Sequence, residues 1–318
     1  MDAEPTPPAD RLNRRVVAIV GPTATGKSDL AIALAQHLRS SGRAAEIVNA
    51  DSMQLYRGMD IGTAKLALGE RGGFPHHLLD IWPVTFTASV AEYQRRARAV
   101  IDGLHRTGVT PILVGGSGLY IRAALDRMEF PGTDAQLRQA LEDRLAAEGA
   151  PRLHAELASL DPAAAAAILP TNGRRIVRAL EVVQLTGAPF TAALPGFEAV
   201  YDVQLVGIDG PNEWLDSRVD DRVDRMFTGG LVAEVQTLVT QGLRNGRTAA
   251  RALGYQQVLA HLDGLMTRDE AQHETARATR RFVRRQRSWF RRDPRIRWVA
   301  AAAGTSAALN ALGESTSN

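Results

Sequence analysis

The chain has 318 residues, of which 45% are hydrophobic and 23% charged, with a formal net charge of +3. That is ordinary globular composition, long enough for about two domains and a real core. The absence of cysteine excludes disulfides, Cys-ligated zinc and a Cys nucleophile, and suits the reducing cytoplasm, where the chain is expected. No apolar run approaches the roughly 18 residues needed to cross a bilayer, so no membrane association is expected.

Taken in order, residues 1–12 are acidic and Pro-rich, lack the basic and apolar regions of a signal peptide, and read as a disordered leader. Residues 16–20 read as a buried strand, followed by a Gly-containing turn and a helix from 27 to about 38. A second strand at 46–48 stops at Asn49, Ala50 and Asp51. A helix over 88–106 precedes a third strand at 111–114, which runs into Gly115, Gly116, Ser117 and Gly118. This spacing argues for βαβ units and a parallel sheet. From about 127 to 195 the texture turns Ala-, Leu- and Arg-rich at helical spacing, as a helical insertion would. A strand at 203–208 returns to the sheet, and helices are expected over 213–227, 231–241 and 268–292. The fold class expected is α/β: a P-loop core of residues 13–126 and 200–300, a helical insertion domain at 127–199 and a flexible tail at 301–318.

Gly21, Pro22, Thr23, Ala24, Thr25, Gly26, Lys27 and Ser28 fit G-x4-G-K-[ST] in full, between an expected strand and an expected helix. Such a loop turns successive backbone N–H groups inward and adds the positive end of a helix. Lys27 would meet terminal phosphate oxygens, and the Ser28 hydroxyl could hold Mg²⁺. The motif predicts a polyphosphate or diphosphate without saying which.

Asp51 lies at the carboxyl end of its strand, the edge where ligands bind in open parallel sheets. Such a carboxylate could hold Mg²⁺ through water, accept a proton from an incoming nucleophile, or cap a turn. The run that follows it is distinctive. GPTATGKS, NADSMQLYRGMDIGTAK, PHHLLDI, LVGGSGLYI, RRIVRALEV and RALGYQQ occur in that order between residues 15 and 298, and together they resemble the bacterial tRNA dimethylallyltransferase family.

That resemblance implies transfer of a dimethylallyl group from its diphosphate to N6 of the adenine immediately 3′ of the anticodon in tRNA. It implies dimethylallyl diphosphate on residues 21–28, Mg²⁺ as cofactor with Ser28 as its ligand, and Asp51 as the base toward the adenine amine. Ser117 falls where the family usually has Thr, which keeps the hydroxyl and loses a methyl. Arg222, in SRVDDRVDRMF, matches an Arg that contacts the diphosphate, and Arg138 matches a position near the tRNA. Asp51, Ser52, Met53 and Gln54, then Ser117, then Arg174, Arg175 and Arg178, then Arg251, Gly254, Tyr255 and Gln256, then Arg284, Arg285, Arg287 and Arg291 match tRNA-contacting positions.

The chemistry needs these parts. An allylic diphosphate leaves as an anion while positive charge develops on carbon, so P-loop amides, Lys27, Arg222 and Mg²⁺ would stabilise the leaving group. The amine proton needs an acceptor, and the base must be unstacked, which costs little in a single-stranded loop. Arg222 also has a plainer reading, as one member of a salt-bridged helix surface with Asp216, Arg218, Asp220, Asp221, Asp224 and Arg225. Tyr56 and Tyr255 could stack on bases or simply pack.

Residues 277–297 carry ten Arg against the single acid Asp293. Arg277, Arg281, Arg284 and Arg291 fall on one helical face, with Phe282, Trp289 and Phe290 opposite as expected anchors to the core. Local repulsion on this scale favours a polyanionic partner, and tRNA fits. The competing readings are an adenylate isopentenyltransferase, a P-loop small-molecule kinase and a non-enzymatic RNA-binding ATPase module. Nothing in the sequence requires more than a monomer.

Overall fold

A computed structural model describes residues 15–190 and 195–313. The expected leader lies outside the described residues, as do the last five positions of the tail.

The larger of two compact units runs up to Asp126 and resumes at Ala199. Its centre is a six-stranded sheet in the order β3-β2-β4-β1-β5-β6, with every adjacent pair parallel. The strands are β1 (Arg15–Val20), β2 (Ala45–Asn49), β3 (His76–His77), β4 (Thr110–Val114), β5 (Asp202–Asp209) and β6 (Ile296–Ala300). The run from Val16 to Val20 is almost wholly buried, as a central strand covered on both faces requires. Helices α1 (Lys27–Ser40), α2 (Val90–Arg106) and α3 (Gly118–Leu125) come from the first half of this unit. Its second half supplies α8 (Asn212–Thr228), α9 (Leu231–Thr240), α10 (Tyr255–Leu262), α11 (Arg268–Phe290) and α12 (Gly304–Ala311). One core cluster joins the α2 face to the helices that follow β5, and a second joins α1 to α12.

Local chemistry accounts for the elements that set the site. Helix α2 opens where the Ser89 hydroxyl accepts from the Glu92 N–H at 3.2 Å, and it buries Tyr93, Ala97, Ile101 and Leu104 along one stripe. β4 runs between β1 and β2, so the P-loop and the end of β2 flank the end of β4. The approach there is close: a Cβ on Gly115 would lie 2.3 Å from the Ala50 carbonyl oxygen, so only glycine fits.

The flexible tail expected from residue 301 is corrected as far as Gly313. Residues Gly304–Ala311 form α12, whose Ala308 and Leu309, with Leu312 just beyond, are buried against the α1 side of the sheet. Small residues there pack; they do not fray.

The smaller unit, Arg127–Glu198, contains α4 (Ala135–Glu148), α5 (Ala150–Leu160), α6 (Pro162–Ala167) and α7 (Gly173–Thr186) around its own core of Leu141, Leu153, Leu157, Ile176 and Leu180. Within it Glu181, with no exposed side-chain surface, is bound by Arg138 and by Arg178 at 2.6 Å. These two arginines neutralise a buried acid, and Arg178 also donates to the Pro131 and Gly132 carbonyls. Arg174 and Arg175 sit exposed at the start of α7.

Candidate active site and RNA-facing surface

The loop between β1 and α1 is held from inside and from behind. The Thr25 hydroxyl donates to the Pro22 carbonyl at 2.9 Å, and the Lys27 ammonium donates to the same oxygen at 2.6 Å. Ala24 takes a left-handed φ of 66°, and its carbonyl accepts from Arg218 Nε at 2.6 Å. The Thr23 N–H points to Gln286 Oε1 at 2.9 Å. That amide is therefore spoken for, and the inward-facing loop expected from the motif is modified at this position. Lys27 is half-buried over its surface, but its ammonium sits among dense protein. Burial first, then the charge of Arg222, lowers its pKa to about 7, with Asp51 opposing.

Asp51 is set by the end of β2. The Asn49 side chain accepts from the Asp51 N–H at 2.9 Å and donates to the Leu78 and Asp51 carbonyls at 3.0 and 3.1 Å. Asp51 Oδ1 in turn accepts from the Met53 N–H at 2.9 Å, closing a local turn. The Tyr93 hydroxyl, from α2, donates to the Asn49 carbonyl at 3.0 Å. Ser117 accepts from the Ser52 N–H and donates to the Ser52 hydroxyl, each at 3.2 Å. It thus ties the β4–α3 connection to the Asp51 turn.

Arg222 is not part of a solvated helix surface. It is half-buried at the cavities, its Nη2 donates to the Thr63 carbonyl at 3.0 Å, and burial lowers its pKa while Asp51 raises it. The surface reading suits its helix neighbours: Asp216 pairs with Arg284 at 2.7 Å, and Asp220 pairs with Arg280.

Two cavities meet at these residues. The first, about 340 Å³, is lined by Gly26, Lys27 and Ser28, by Asp51 and Arg222, and by an apolar group that includes Ile47, Ile61, Leu66 and Leu79. The second, about 370 Å³, is lined by Ser52, Met53 and Ser117 with Arg251, Gln256, Phe282 and Arg285. Thr23, Lys27, Asp51, Thr63, Gly116, Arg222 and Met226 line both. A carboxylate thus stands where an anion-binding, partly apolar chamber opens into one with exposed arginines. Two compounds bound one in each chamber would face each other across Asp51. No group of three or more His, Cys, Asp or Glu fit to hold a metal occurs among the described residues.

Other sequence expectations need correction. Tyr255 is fully buried, with its hydroxyl on Glu234 at 2.5 Å, and Gly254 is buried beside it, so neither presents a face to RNA. Tyr56 is buried as well, in keeping with the packing alternative offered for it. Arg251 and Gln256, from the same stretch, are exposed at the second cavity. The arginine tract is not opposed by Asp293 alone. Arg277 and Arg281 pair with Glu274, while Arg287 and Arg291 share Asp209 at 3.0 and 2.7 Å. Carboxylates from β5 and α8 relieve the repulsion that local counting attributes to a missing polyanion. Arg285 is exposed over the Phe282 ring, and Phe282 lines the second cavity; it does not anchor α11. Phe290 does so, buried in the core, with Trp289 packed against it.

Gln286, Asn49 and Thr63 also shape the site, although the sequence assigns a role to none of them; Asn49 and Thr63 fall within the motif at residues 49–65. Gln286 lies buried inside the arginine tract, where an uncharged residue on the inner helical face was the available signal. Asn49 was a polar residue ending a buried strand, which calls for a partner.

Comparison with known proteins agrees with this geometry. The family model described as IPP transferase matches residues 54–293. A tRNA dimethylallyltransferase of Streptomyces avermitilis is 64% identical over 297 residues, covering 93% of this chain and 92% of that protein. A tRNA dimethylallyltransferase of Thermobifida fusca is 63% identical over 284 residues, covering 89% of each chain. Among solved structures, the full-length tRNA isopentenylpyrophosphate transferase of Bacillus halodurans matches with a TM-score of 0.66 and 38% identity, covering 91% of this chain and 90% of that one. A eukaryotic dimethylallyltransferase described as acting on tRNA matches with a TM-score of 0.77 and 25% identity, covering 94% and 77%. With the P-loop, the Asp51 turn and the six-stranded parallel sheet in place, the chain belongs to the IPP transferase family.

Proposed function

We propose that this protein transfers a dimethylallyl group from dimethylallyl diphosphate to N6 of the adenine immediately 3′ of the anticodon in tRNA, giving N6-dimethylallyladenosine and diphosphate. The observation that carries the reading is Asp51 at the junction of the two cavities, with Lys27 and Arg222 beside it. The names of the relatives, tRNA dimethylallyltransferases of high identity over most of both chains, support the same substrates. In this reading the first cavity holds the donor, its diphosphate toward Lys27, Arg222 and the P-loop and its hydrocarbon toward Ile47, Leu66 and Leu79. The adenine enters the second cavity. The carbon–oxygen bond to diphosphate breaks, the bond from N6 to carbon forms, and Asp51 takes the proton that N6 gives up. Diphosphate leaves as an anion beside Lys27 and Arg222.

Mg²⁺ fits this site through Ser28, whose position in the first cavity beside the P-loop suits an ion held mainly by substrate oxygens and water. When bound it would neutralise diphosphate charge. No described helix is long and apolar enough to cross a membrane. The reading takes the protein as a cytoplasmic monomer, acting where tRNA is found.

The deciding experiment offers the purified protein radiolabelled dimethylallyl diphosphate with tRNA, or with AMP, and ATP with each in a parallel phosphoryl-transfer assay. Label should enter tRNA and map to the adenine next to the anticodon. Prenylation of AMP, or phosphoryl transfer from ATP, would replace this reading with a free-nucleotide prenyltransferase or a kinase.

A further inference from the structure

Helix α9 contributes no residue to either cavity, yet one of its side chains governs a segment that does. Glu234 Oε2 accepts from the N–H groups of Asp60 at 3.1 Å and Ile61 at 2.7 Å. Its Oε1 accepts from the Gly62 N–H at 3.2 Å and from the Tyr255 hydroxyl at 2.5 Å. Three successive backbone amides converging on one carboxylate form an anion-binding nest filled from within the chain. The next residue is Thr63, whose carbonyl receives Arg222 Nη2 at 3.0 Å and Gln54 Nε2 at 3.2 Å. Ile61, Gly62 and Thr63 all line the cavities.

The nest has little freedom to shift. A Cβ on Gly62 would come within 2.5 Å of the Tyr255 ring, so segment 60–62 lies flat against that ring. Lys65, almost wholly buried, closes the other end by pairing with Asp60 at 2.7 Å and Asp80 at 2.6 Å and donating to the Tyr56 carbonyl. The Tyr255 hydroxyl keeps its proton, since burial above all, and then the Glu234 charge, push its pKa well up. It therefore remains a donor to Glu234.

We propose that Glu234 is a positioning residue for the diphosphate-binding arginine: by gathering the amides of residues 60–62 it fixes the Thr63 carbonyl, and through that carbonyl it aims Arg222 at the donor. The proposal rests on the assignment of Arg222 to the donor diphosphate. A carboxylate suits the task because it accepts four hydrogen bonds without donating any, and charge-assisted bonds are the stronger kind. Glutamine keeps the shape, but its NH2 group cannot accept from an N–H or from Tyr255. The cost falls on Arg222 because a buried guanidinium that loses its carbonyl acceptor has no fixed direction.

The test is a double-mutant cycle on donor binding, reading dissociation constants for dimethylallyl diphosphate by calorimetry in the full chain. Glu234→Gln should weaken donor binding about tenfold, within the range of coupling between residues that share a network, and leave tRNA affinity unchanged. Tyr255→Phe, which removes one of the four donors, should give a smaller loss in the same direction. In an Arg222→Ala background, which already binds donor weakly, Glu234→Gln should add little. Full additivity of the two losses would overturn the inference, because Glu234 would then act independently of Arg222. So would parallel losses of tRNA and donor binding, which would mark a general structural role. If Arg222→Ala alone leaves donor binding intact, the diphosphate assignment falls and the inference falls with it. If Arg222→Ala weakens binding and Glu234→Gln does not, only the inference is lost.

Discussion

Gln286 Oε1 accepts the Thr23 backbone N–H at 2.9 Å while its Nε2 donates to the Gly116 carbonyl at 2.8 Å. One amide from α11 thereby joins the P-loop to the end of β4, the strand end that lies between the P-loop and Asp51. The pair has no room to slide, since a Cβ on Gly116 would lie 2.4 Å from Gln286 Nε2.

Replacing Gln286 with Leu should therefore cost both stability and donor affinity. The substitution orphans the Thr23 N–H and the Gly116 carbonyl, and a buried polar group left unsatisfied costs about 1–3 kcal/mol. Urea denaturation should register that loss, and dimethylallyl diphosphate binding should weaken with it. Gln286→Glu separates the two effects. It still accepts from Thr23 but cannot donate to Gly116, and it places negative charge beside the P-loop. Donor affinity should fall further than stability does. Donor affinity equal to the unmodified protein in both variants would leave Gln286 with a packing role alone.

The internal pairing of the arginine tract predicts which changes move RNA affinity. Asp216→Asn releases Arg284 from its 2.7 Å partner and should raise tRNA affinity at low salt. Arg285→Ala, which removes an exposed cation at the second cavity, should lower it. Where a cation meets a phosphate of single-stranded RNA, its removal should reduce the slope of log affinity against log salt by about 0.7. Arg277→Ala, whose side chain pairs with Glu274 outside both cavities, should change little. Equal losses from Arg277→Ala and Arg285→Ala would mean that the tract acts as diffuse charge.

Much of this was legible in sequence because it is local. The P-loop, the strands expected at 16–20 and 111–114 and the amphipathic α2 each follow from residues within one short window. The misses share a different cause. β3 and β6 depend on the sheet beside them: His76–His77 is a strand only because β2 supplies its partner, and Ile296–Ala300 is an edge strand with Arg297 exposed and Trp298 half-buried. Glu274 lies just ahead of the arginine tract, but its other partners Asp209, Asp216 and Asp220 lie some sixty or more residues earlier in the chain, beyond any count of neighbouring charge. Tyr255 belongs to a stretch that matches a tRNA-contacting segment, but its ring packs on Gly62 and its hydroxyl is taken by Glu234.

Lys27 supplies a prediction in pH. Burial and the neighbouring Arg222 charge hold its pKa at about 7. A diphosphate would favour the ammonium and raise that pKa, so binding takes up a proton wherever Lys27 starts neutral. Below about pH 7 the group is already charged and its contribution to affinity is level. Above that value affinity should fall as pH rises, by up to about tenfold per unit. Calorimetry at about pH 8 in buffers of different ionisation enthalpy should detect uptake approaching one proton in the unmodified protein. The Lys27→Met variant should bind weakly and lose that uptake. Identical uptake in both proteins would place the titrating group elsewhere.

Asp51 is the residue on which the chemical step should depend. Its backbone is latched by Asn49, and one carboxylate oxygen is held by the Met53 N–H, so the side chain is fixed before any substrate arrives. Lys27 and Arg222 line the same two cavities, where they can hold the leaving anion while the carboxylate faces the amine. Asp51→Asn keeps the size and the acceptor for Met53 while removing the charge and the basicity. A positioned general base contributes typically about 10²–10⁴-fold, and the single-turnover rate with saturating tRNA and donor should fall by about that factor. Binding of both substrates should change far less, because the missing interaction strengthens as the new bond forms. Donor affinity offers the cross-check in sign: removing a negative charge beside a diphosphate site should, if anything, tighten donor binding. A variant that keeps a near-normal rate while losing donor or Mg²⁺ affinity would make Asp51 a ligand-holding residue and leave the proton acceptor to be sought among other groups lining the second cavity.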